Sequence, residues 1–585
     1  MSAPDFVRIG NASGFYGDRF SAMQEMLEGG ELDYLTGDYL AELTMLILGR
    51  DRLKDPSRGY AKTFLRQMRE NMTLALDKDV TIVTNAGGLN PHGLAVALRE
   101  IAGELNVDAN IAFVSGDDLS GRAAELGLGP SLTANAYLGA FGIKNALTRG
   151  ADIVVTGRVT DASLTVGPAA AAFGWTQRDL DPIAGAVIAG HIIECGAQAT
   201  GGNYSFFTEI PMGHLGFPIA EIAADGSSVI TKHEGTGGAV TVGTVTSQLL
   251  YEVAGPRYYN PDATARLDSV HLTQDGPDRV AVSAATGEAP PDKLKVSLNN
   301  LAGSRNQMEI VMVGLDIEKK AELFEQQFRN ELPTEPADLT FELIRHDRED
   351  SDTEEQASAI MRITARDPDP EKVGRQFSNI AVELALASYP GFTLTSPPGN
   401  GSPYAYFEPG YVDAQLVEHT VTQPDGVTVM IEPSPVRAPL VPDDDSPGDP
   451  SKDGQDFGPT QNLPLGTIIG SRSGDKGGSA NIGLWAPDTG SGAGGSNAQD
   501  GDAYDWLDSF LTVDKLKELL PETADLTVHR YRLPNLRALN FVIEGILGRG
   551  VAEQVRFDPQ AKGLGEWLRS RVVPIPTRFL TDQKD

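Results

Sequence analysis

A histidine and a glutamate three residues apart, His191 and Glu194, are the first pair whose types and spacing could do chemistry. They fall in residues 183–200, where the apolar pattern predicts a helix and puts His191, Glu194, Cys195 and Gln198 on one face. Such a pair can be an oriented acid and base, or half of a metal site. No second group of His, Cys, Asp or Glu with ligand spacing accompanies it, so no metal is expected. Cys195 sits among apolar neighbours and reads as a small packed hydrophobe rather than a nucleophile. The stripe runs into a flexible polar turn, residues 199–204, which offers Asn203 and Tyr204 to a ligand.

The other candidates lie on glycine-rich turns. The turn at 85–92 carries Asn85, Gly87, Gly88 and His92. Its glycine N–H groups and Asn85 could donate to a developing enolate oxygen. His92, whose ordinary pKa is near neutrality, is either an acid/base or a plain surface or capping residue. In the turn at 156–163, Arg158 could fork onto a carboxylate or phosphate while Asp161 orients it as part of the catalytic set. The same pair could equally be an internal ion pair that fixes the loop. The turn at 10–19 has glycines at 10, 14 and 17, followed by Asp18 and Arg19. Its N–H groups could cradle an anion at the next helix, or Gly14 and its neighbours could simply permit a tight turn with Asp18 as the N-cap. The densest stretch is GSRSGDKGGSAN at 470–481, with Arg472, Ser473, Asp475, Lys476 and Asn481. It lacks the order of a Walker A loop but suits a phosphate or carboxylate, with Lys476 as the cation.

Turns like these need rigid elements behind them. Tyr60, Phe64, Met68, Met72 and Leu76 mark one face of a helix, and an apolar run at 80–83 with β-branched residues then predicts a buried strand. After the glycine turn, Leu94, Leu98, Ile101 and Leu105 predict another helix. Strand-then-turn units recur at 6–9, 111–114 and 153–155, so residues 1–205 are expected to form a doubly wound α/β domain with a mostly parallel sheet. In such sheets ligands sit beyond the carboxyl ends of the strands. Asp117 and Asp118 fall where a ribose-binding acid would, which keeps a nucleotide- or NAD-dependent reading open. Residues 206–430 change pattern, with Asp225-Gly226 between alternating apolar residues, and are expected to be an α+β region. Residues 431–460, rich in Pro and Asp, read as a linker. A small α+β domain over 461–585 completes the chain. In it the glycine loop is expected between short strands at 466–469 and 482–485, with helices over 506–520 and 564–571 and a Gly/Ser-rich insertion at 489–501.

The 585 residues exceed what one core can serve, and no run of about 18 apolar residues predicts a membrane span. A formal charge of −33 argues against nucleic-acid or anionic-membrane partners, but not against a small anion held by a local nest of N–H groups or a few arginines. The amino-terminal residues lack a basic segment followed by an apolar one, and Cys195 is the single cysteine. A cytoplasmic protein, and on base rates a homo-oligomer, is therefore expected.

The motifs GNASGFYGDR, TNAGGLNP, TGRVTDAS, GHIIECGAQATGGNY and SGDKGGSANIGLW, in this order, resemble the acyclic terpene utilisation protein A family over nearly the whole chain. The resemblance implies a large N-terminal domain to about residue 430 and a small ferredoxin-like C-terminal domain. It also implies a place in the breakdown of citronellol- and geraniol-type terpenes through coenzyme A thioesters. The expected function is then an enzyme acting on a branched acyl-CoA or related carboxylic acid, by hydration, dehydration or lysis. Coenzyme A would enter as part of the substrate and no separate cofactor is expected. The alternatives are the nucleotide-dependent enzyme and a non-catalytic assembly subunit of an acyl-CoA-processing complex.

Overall fold

The computed structural model describes residues 4–441, 455–487 and 502–580. The inserted stretch at 489–501 and residues 442–454 of the Pro/Asp linker lie outside the described residues. The elements that position the site begin with β1 (Phe6–Asn11), α1 (Ala22–Gly29), β2 (Tyr34–Gly37), α2 (Glu42–Lys54), α3 (Lys62–Asp77), β3 (Thr81–Thr84), α4 (Pro91–Leu105) and β4 (Ile111–Ser115). They continue with β5 (Thr133–Ala136), α5 (Phe141–Leu147), β6 (Ile153–Thr156), α6 (Ser163–Phe173) and α7 (Leu180–Ile193).

Strands β1, β2, β3, β6 and β4 lie side by side in that order, all parallel. Their sequences are short and β-branched, such as TIVT and IVVT, and are buried. Successive side chains on a strand point to opposite faces. Ile82 and Ile153 therefore join Phe64, Met68 and Met72 of α3 and Leu94 and Leu98 of α4, while Val83 and Val154 pack with Ile143 of α5 and Val114. α7 differs from the amphipathic α3: every residue from Ile183 to Ile193 is buried, and its Ala and Gly positions let neighbouring backbone approach. At Gly185, an added Cβ would sit 2.2 Å from the Gly226 carbonyl oxygen.

The full sheet is mixed rather than mostly parallel. Beyond β1 come β7 (Pro218–Ala223), β8 (Ser228–Lys232), Val280–Ser283 and His271–Gln274, each antiparallel to its neighbour; beyond β4 come Thr420–Thr422 and Thr428–Met430. The reason is in the connections. β7 and β8 are joined by the Asp225-Gly226 turn, with Gly226 at φ +84°, and a hairpin can only return antiparallel. The change of pattern near residue 205 thus marks a change of strand direction within one sheet. α8 (Val242–Leu249) follows β8 and starts with Thr241 as a side-chain cap on Thr244.

The chain divides into two compact units, Met1–Asn299 with Phe407–Asp585, and Asn300–Tyr406. The second unit has the antiparallel strands Asp338–Ile344 and Ser358–Asp367, the helices Ile317–Glu331 and Arg375–Glu383, and a core around Phe324, Phe328, Met361 and Phe377. Within the first unit, the C-terminal part forms a four-stranded antiparallel sheet in the order Gly470–Lys476, Ser479–Trp485, Ala538–Ile543, Val528–Leu533. The glycine-rich stretch is not an open loop between short strands. All of 470–476 pairs with 479–485, which leaves Gly477 and Gly478 as the turn, with Gly477 at φ +62°. The helix expected over 506–520 is two, Ala503–Phe510 and Val513–Leu519, because the Thr512 hydroxyl accepts the Lys515 N–H at 3.2 Å and starts a new helix. Arg530 and Arg532 reach the fully buried Asp508 at 2.7 and 2.8 Å.

Candidate functional site

The turns after β1, β2, β3, β4 and β6 all leave the carboxyl edge of the parallel strands, and the end of α7 meets them there. α7 stops at Ile193, so Glu194 is its C-cap rather than a mid-helix residue, and residues 196–200 continue as a 3-10 turn. Asn11, at the end of β1, fixes this terminus by donating to the carbonyls of Ile193 at 2.7 Å and Glu194 at 3.0 Å. Gly14 is held there too: an added Cβ would fall 2.6 Å from the Cys195 carbonyl carbon.

His191 Nδ1 and Glu194 Oε1 lie 2.9 Å apart, with 2 % and 10 % of their side chains exposed. At that distance they could be an ion pair, but their surroundings oppose charge separation. Burial and the Lys476 ammonium push the His191 pKa down to about 4, against the pull of Glu252, the nearby Leu249 carbonyl and Asp161. Burial, with Asp161 and Glu252, pushes Glu194 well above the usual carboxylate range, and Lys476 and Arg158 offset this only in part. Both shifts run against charge, so they favour an unprotonated imidazole beside a protonated carboxyl. His191 Nε2 and Glu194 Oε2 are buried and make no hydrogen bond. Tyr258 lies against His191, ring centres 4.6 Å apart, and the Lys476 ammonium stands 6.0 Å from the Tyr258 ring.

Arg158 is buried beside this pair. It donates to the Leu40 carbonyl at 2.7 Å and to Asp161 at 2.8 Å, and its guanidinium stacks on Tyr137 at 4.2 Å. Asp38, after β2, accepts from Asn85 at 2.6 Å and from the Leu40 N–H at 2.9 Å. Burial and the neighbouring Asp161 raise its pKa despite Arg158. Acidic groups from four separate segments (Asp38, Asp161, Glu194, Glu252) thus crowd around two cations, Arg158 and Lys476.

The C-terminal hairpin closes the site from the same chain. Asn481 donates to the Leu250 carbonyl at 2.7 Å and accepts the Glu252 N–H at 3.0 Å, while Asn540 donates to the Val253 carbonyl at 3.1 Å. These bonds hold Glu252 at φ +57°, a conformation that a non-glycine residue adopts at a cost. Gly483 allows the approach, since a Cβ there would lie 2.4 Å from Leu250 Cβ. Arg472 bonds the Gln198 side chain and stacks on Tyr251 at 4.1 Å. Ser473 faces a cleft of about 230 Å³ that is also lined by Asn203, Tyr204, Ser471, Arg472 and Lys562. Asp475 is half-buried on the hairpin strand beside Lys476.

Other residues singled out in the sequence hold loops. Asn85 spends its amide on Asp38 and the Tyr39 N–H, and Gly88 donates its N–H to the Asn85 carbonyl, so neither aims a donor at an open position. An added Cβ at Gly87 would fall 2.4 Å from the Thr156 carbonyl oxygen. Asp18 accepts from Gly14 and Arg19 backbone, and Arg19 bonds Glu25 and the Leu215 carbonyl. His92 is exposed on α4 against Phe113, apart from the buried pair. Asp117 accepts from Asn135 and the Arg158 N–H, and Asp118 pairs with Arg52 at 2.9 Å, so both candidate ribose acids are engaged within the chain. Asp38, Tyr137, Glu252 and Tyr258 escaped the sequence reading. Only Asp38 had a signal, a polar turn directly after the short strand Tyr34–Gly37. Among the described residues no group of three or more His, Cys, Asp or Glu has a metal-holding arrangement.

Comparison with known protein families finds two matches. The sequence profile described as "Acyclic terpene utilisation family protein AtuA" matches residues 7–423, and the "AtuA ferredoxin-like domain" matches residues 463–574. None of the curated proteins compared with the chain matches it. The chain belongs to the acyclic terpene utilisation family, AtuA, and carries that family's ferredoxin-like domain at its C-terminal end.

Proposed function

We propose that the chain is a catabolic enzyme that hydrates, dehydrates or cleaves a branched, terpenoid-type acyl-CoA or related carboxylic acid by acid/base chemistry. Family membership ties it to the use of acyclic terpenes. The observation that carries the reading is the buried His191–Glu194 pair, 2.9 Å apart, each member keeping one buried polar atom without a partner. A neutral imidazole and a protonated carboxyl side by side are a base and an acid at the same pH.

In a hydration, His191 Nε2 takes a proton from water as the oxygen bonds the β-carbon. Glu194 Oε2 gives its proton to the α-carbon, which balances the addition. The imidazolium and carboxylate that result are 2.9 Å apart through Nδ1 and Oε1, and passage of the Nε2 proton to Oε2 through water restores the starting pair. Arg158 and Lys476 stabilise negative charge that develops on the thioester or on a substrate carboxylate. The test is turnover of branched unsaturated acyl-CoAs, followed by loss of the conjugated thioester absorbance. His191→Ala, Glu194→Gln and Arg158→Ala should each slow it by about tenfold or more, as loss of an acid/base group or anion clamp does. Near-unchanged rates in all three folded variants sink the assignment.

A further inference from the structure

Ser471 Oγ is buried and makes no hydrogen bond. It lines the cleft of about 230 Å³ between the turn that carries Asn203 and Tyr204 and the helix Leu564–Ser570. The backbone around it is fixed: Ser205 Oγ takes the Ser471 N–H at 2.9 Å and donates to the Ser471 carbonyl at 2.7 Å. Gly565 leaves the space over the hydroxyl open, because a Cβ there would sit 2.3 Å from Ser471 Oγ. Ser473 is spent on shaping the wall, donating to the Ala561 carbonyl and accepting the Gly565 N–H. The cleft's charges are unequal. Glu566 is paired to Arg569 at 2.8 Å, whereas Lys562 is exposed at the rim and makes no ion pair among the described residues. Arg472 also lines the cleft, with its guanidinium bonded to Gln198 and stacked on Tyr251. In a chain of net charge −33, a cleft with a lysine at its rim and an unpartnered buried hydroxyl suits an anion.

Arg472 also ties the cleft to the acid/base pair, through its bond to Gln198 and its stacking on Tyr251, next to Glu252. We propose that this cleft is a phosphate-ester subsite that holds the phosphorylated tail of the thioester substrate while the acyl part reaches His191 and Glu194. The inference rests on the thioester reading above. It assigns Ser471 and Lys562 to the tail, and leaves the buried pair to the chemistry.

Calorimetry of the full chain with free coenzyme A, with pantetheine and with inorganic phosphate tests it. Lys562→Gln should weaken coenzyme A about tenfold, the worth of one charge-assisted bond, and Ser471→Ala should weaken it in the same direction. Pantetheine, which carries no phosphate, should bind both variants as it binds the parent. Equal coenzyme A affinity in parent and both variants overturns the subsite while the thioester reading stands. Phosphate binding that Lys562→Gln weakens, with no coenzyme A binding, keeps the phosphate site and overturns the thioester reading. Absence of heat with either anion overturns the inference.

Discussion

His191 should stay unprotonated through the whole range in which a free histidine titrates. Its pKa falls from 6.5 to about 4, with burial as the first cause and the Lys476 ammonium as the second. A shift of that size corresponds to about 3 kcal/mol against the imidazolium. At pH 6.5 only a few per cent or less of the folded chains would carry the charged ring, where a free histidine would be half protonated. The sign for stability follows. Between pH 6.5 and 4 the unfolded chain binds the proton and the folded chain does not, so this group's contribution is intact above 6.5 and is lost as the pH falls toward 4. Carbon-13 labelling of the histidine rings reads the titration directly, and His191→Gln assigns one of the eight signals. The ring signal should hold its neutral position down to about pH 4.5. Lys476→Met removes one of the two causes and should raise the midpoint, but not to 6.5, because burial remains. A parent midpoint near 6.5, or a midpoint that Lys476→Met leaves unchanged, refutes the account of the neutral pair.

Asp508→Asn should cost about 3–5 kcal/mol, since it leaves the buried Arg530 and its neighbour Arg532 without their shared carboxylate. Thermal melting and protease resistance of the full chain check this, and a loss below about 1 kcal/mol would contradict it. Asp262 tests the opposite sign. Burial raises its pKa from 3.8 to about 6, against the Ala140 N–H that it accepts at 2.7 Å. Its contribution to stability is full below pH 3.8 and is lost as the pH rises through 6. Asp262→Asn should therefore gain on the parent by about 2 kcal/mol between pH 4 and 7.5, read as the difference in unfolding free energy at the two pH values. No gain would mean that the carboxyl is not held neutral.

The sequence made visible what depends on short range. The strands ending at Asn11, Thr84, Ser115 and Thr156 stand out as β-branched runs before polar turns, and the Asp225-Gly226 hairpin stands out by its turn chemistry. The three-residue spacing of His191 and Glu194 carries their meeting, even though the helix ends between them. What stayed hidden depends on distant contacts. Glu252 comes into the site only because Asn481, 229 residues later, holds its N–H. Asp38 follows the strand Tyr34–Gly37, whose sequence YLTG has one β-branched residue and ends in glycine, so no β-branched run marks it. Asn85, Asp18 and Arg19 have the residue types of a ligand site but spend their groups on loops, and residue type alone cannot separate the two uses. The GSRSGDKGGSAN stretch looks like a loop because glycine and serine are poor strand formers. In the fold, pairing with residues 479–485 and the flat approach to Leu250 override that preference.

The contact of Gly483 with Leu250 couples the histories of the two domains. No side chain larger than hydrogen fits at 483 while leucine stands opposite, and the Asn481 amide reads the backbone of 250–252 on the next step. Drift in either segment is then constrained by the other. A chimera that takes its small domain from a distant relative should function only if it inherits both sides of this seam. Residues 249–253 and 479–485 should therefore vary together across lineages, as a single inherited block would.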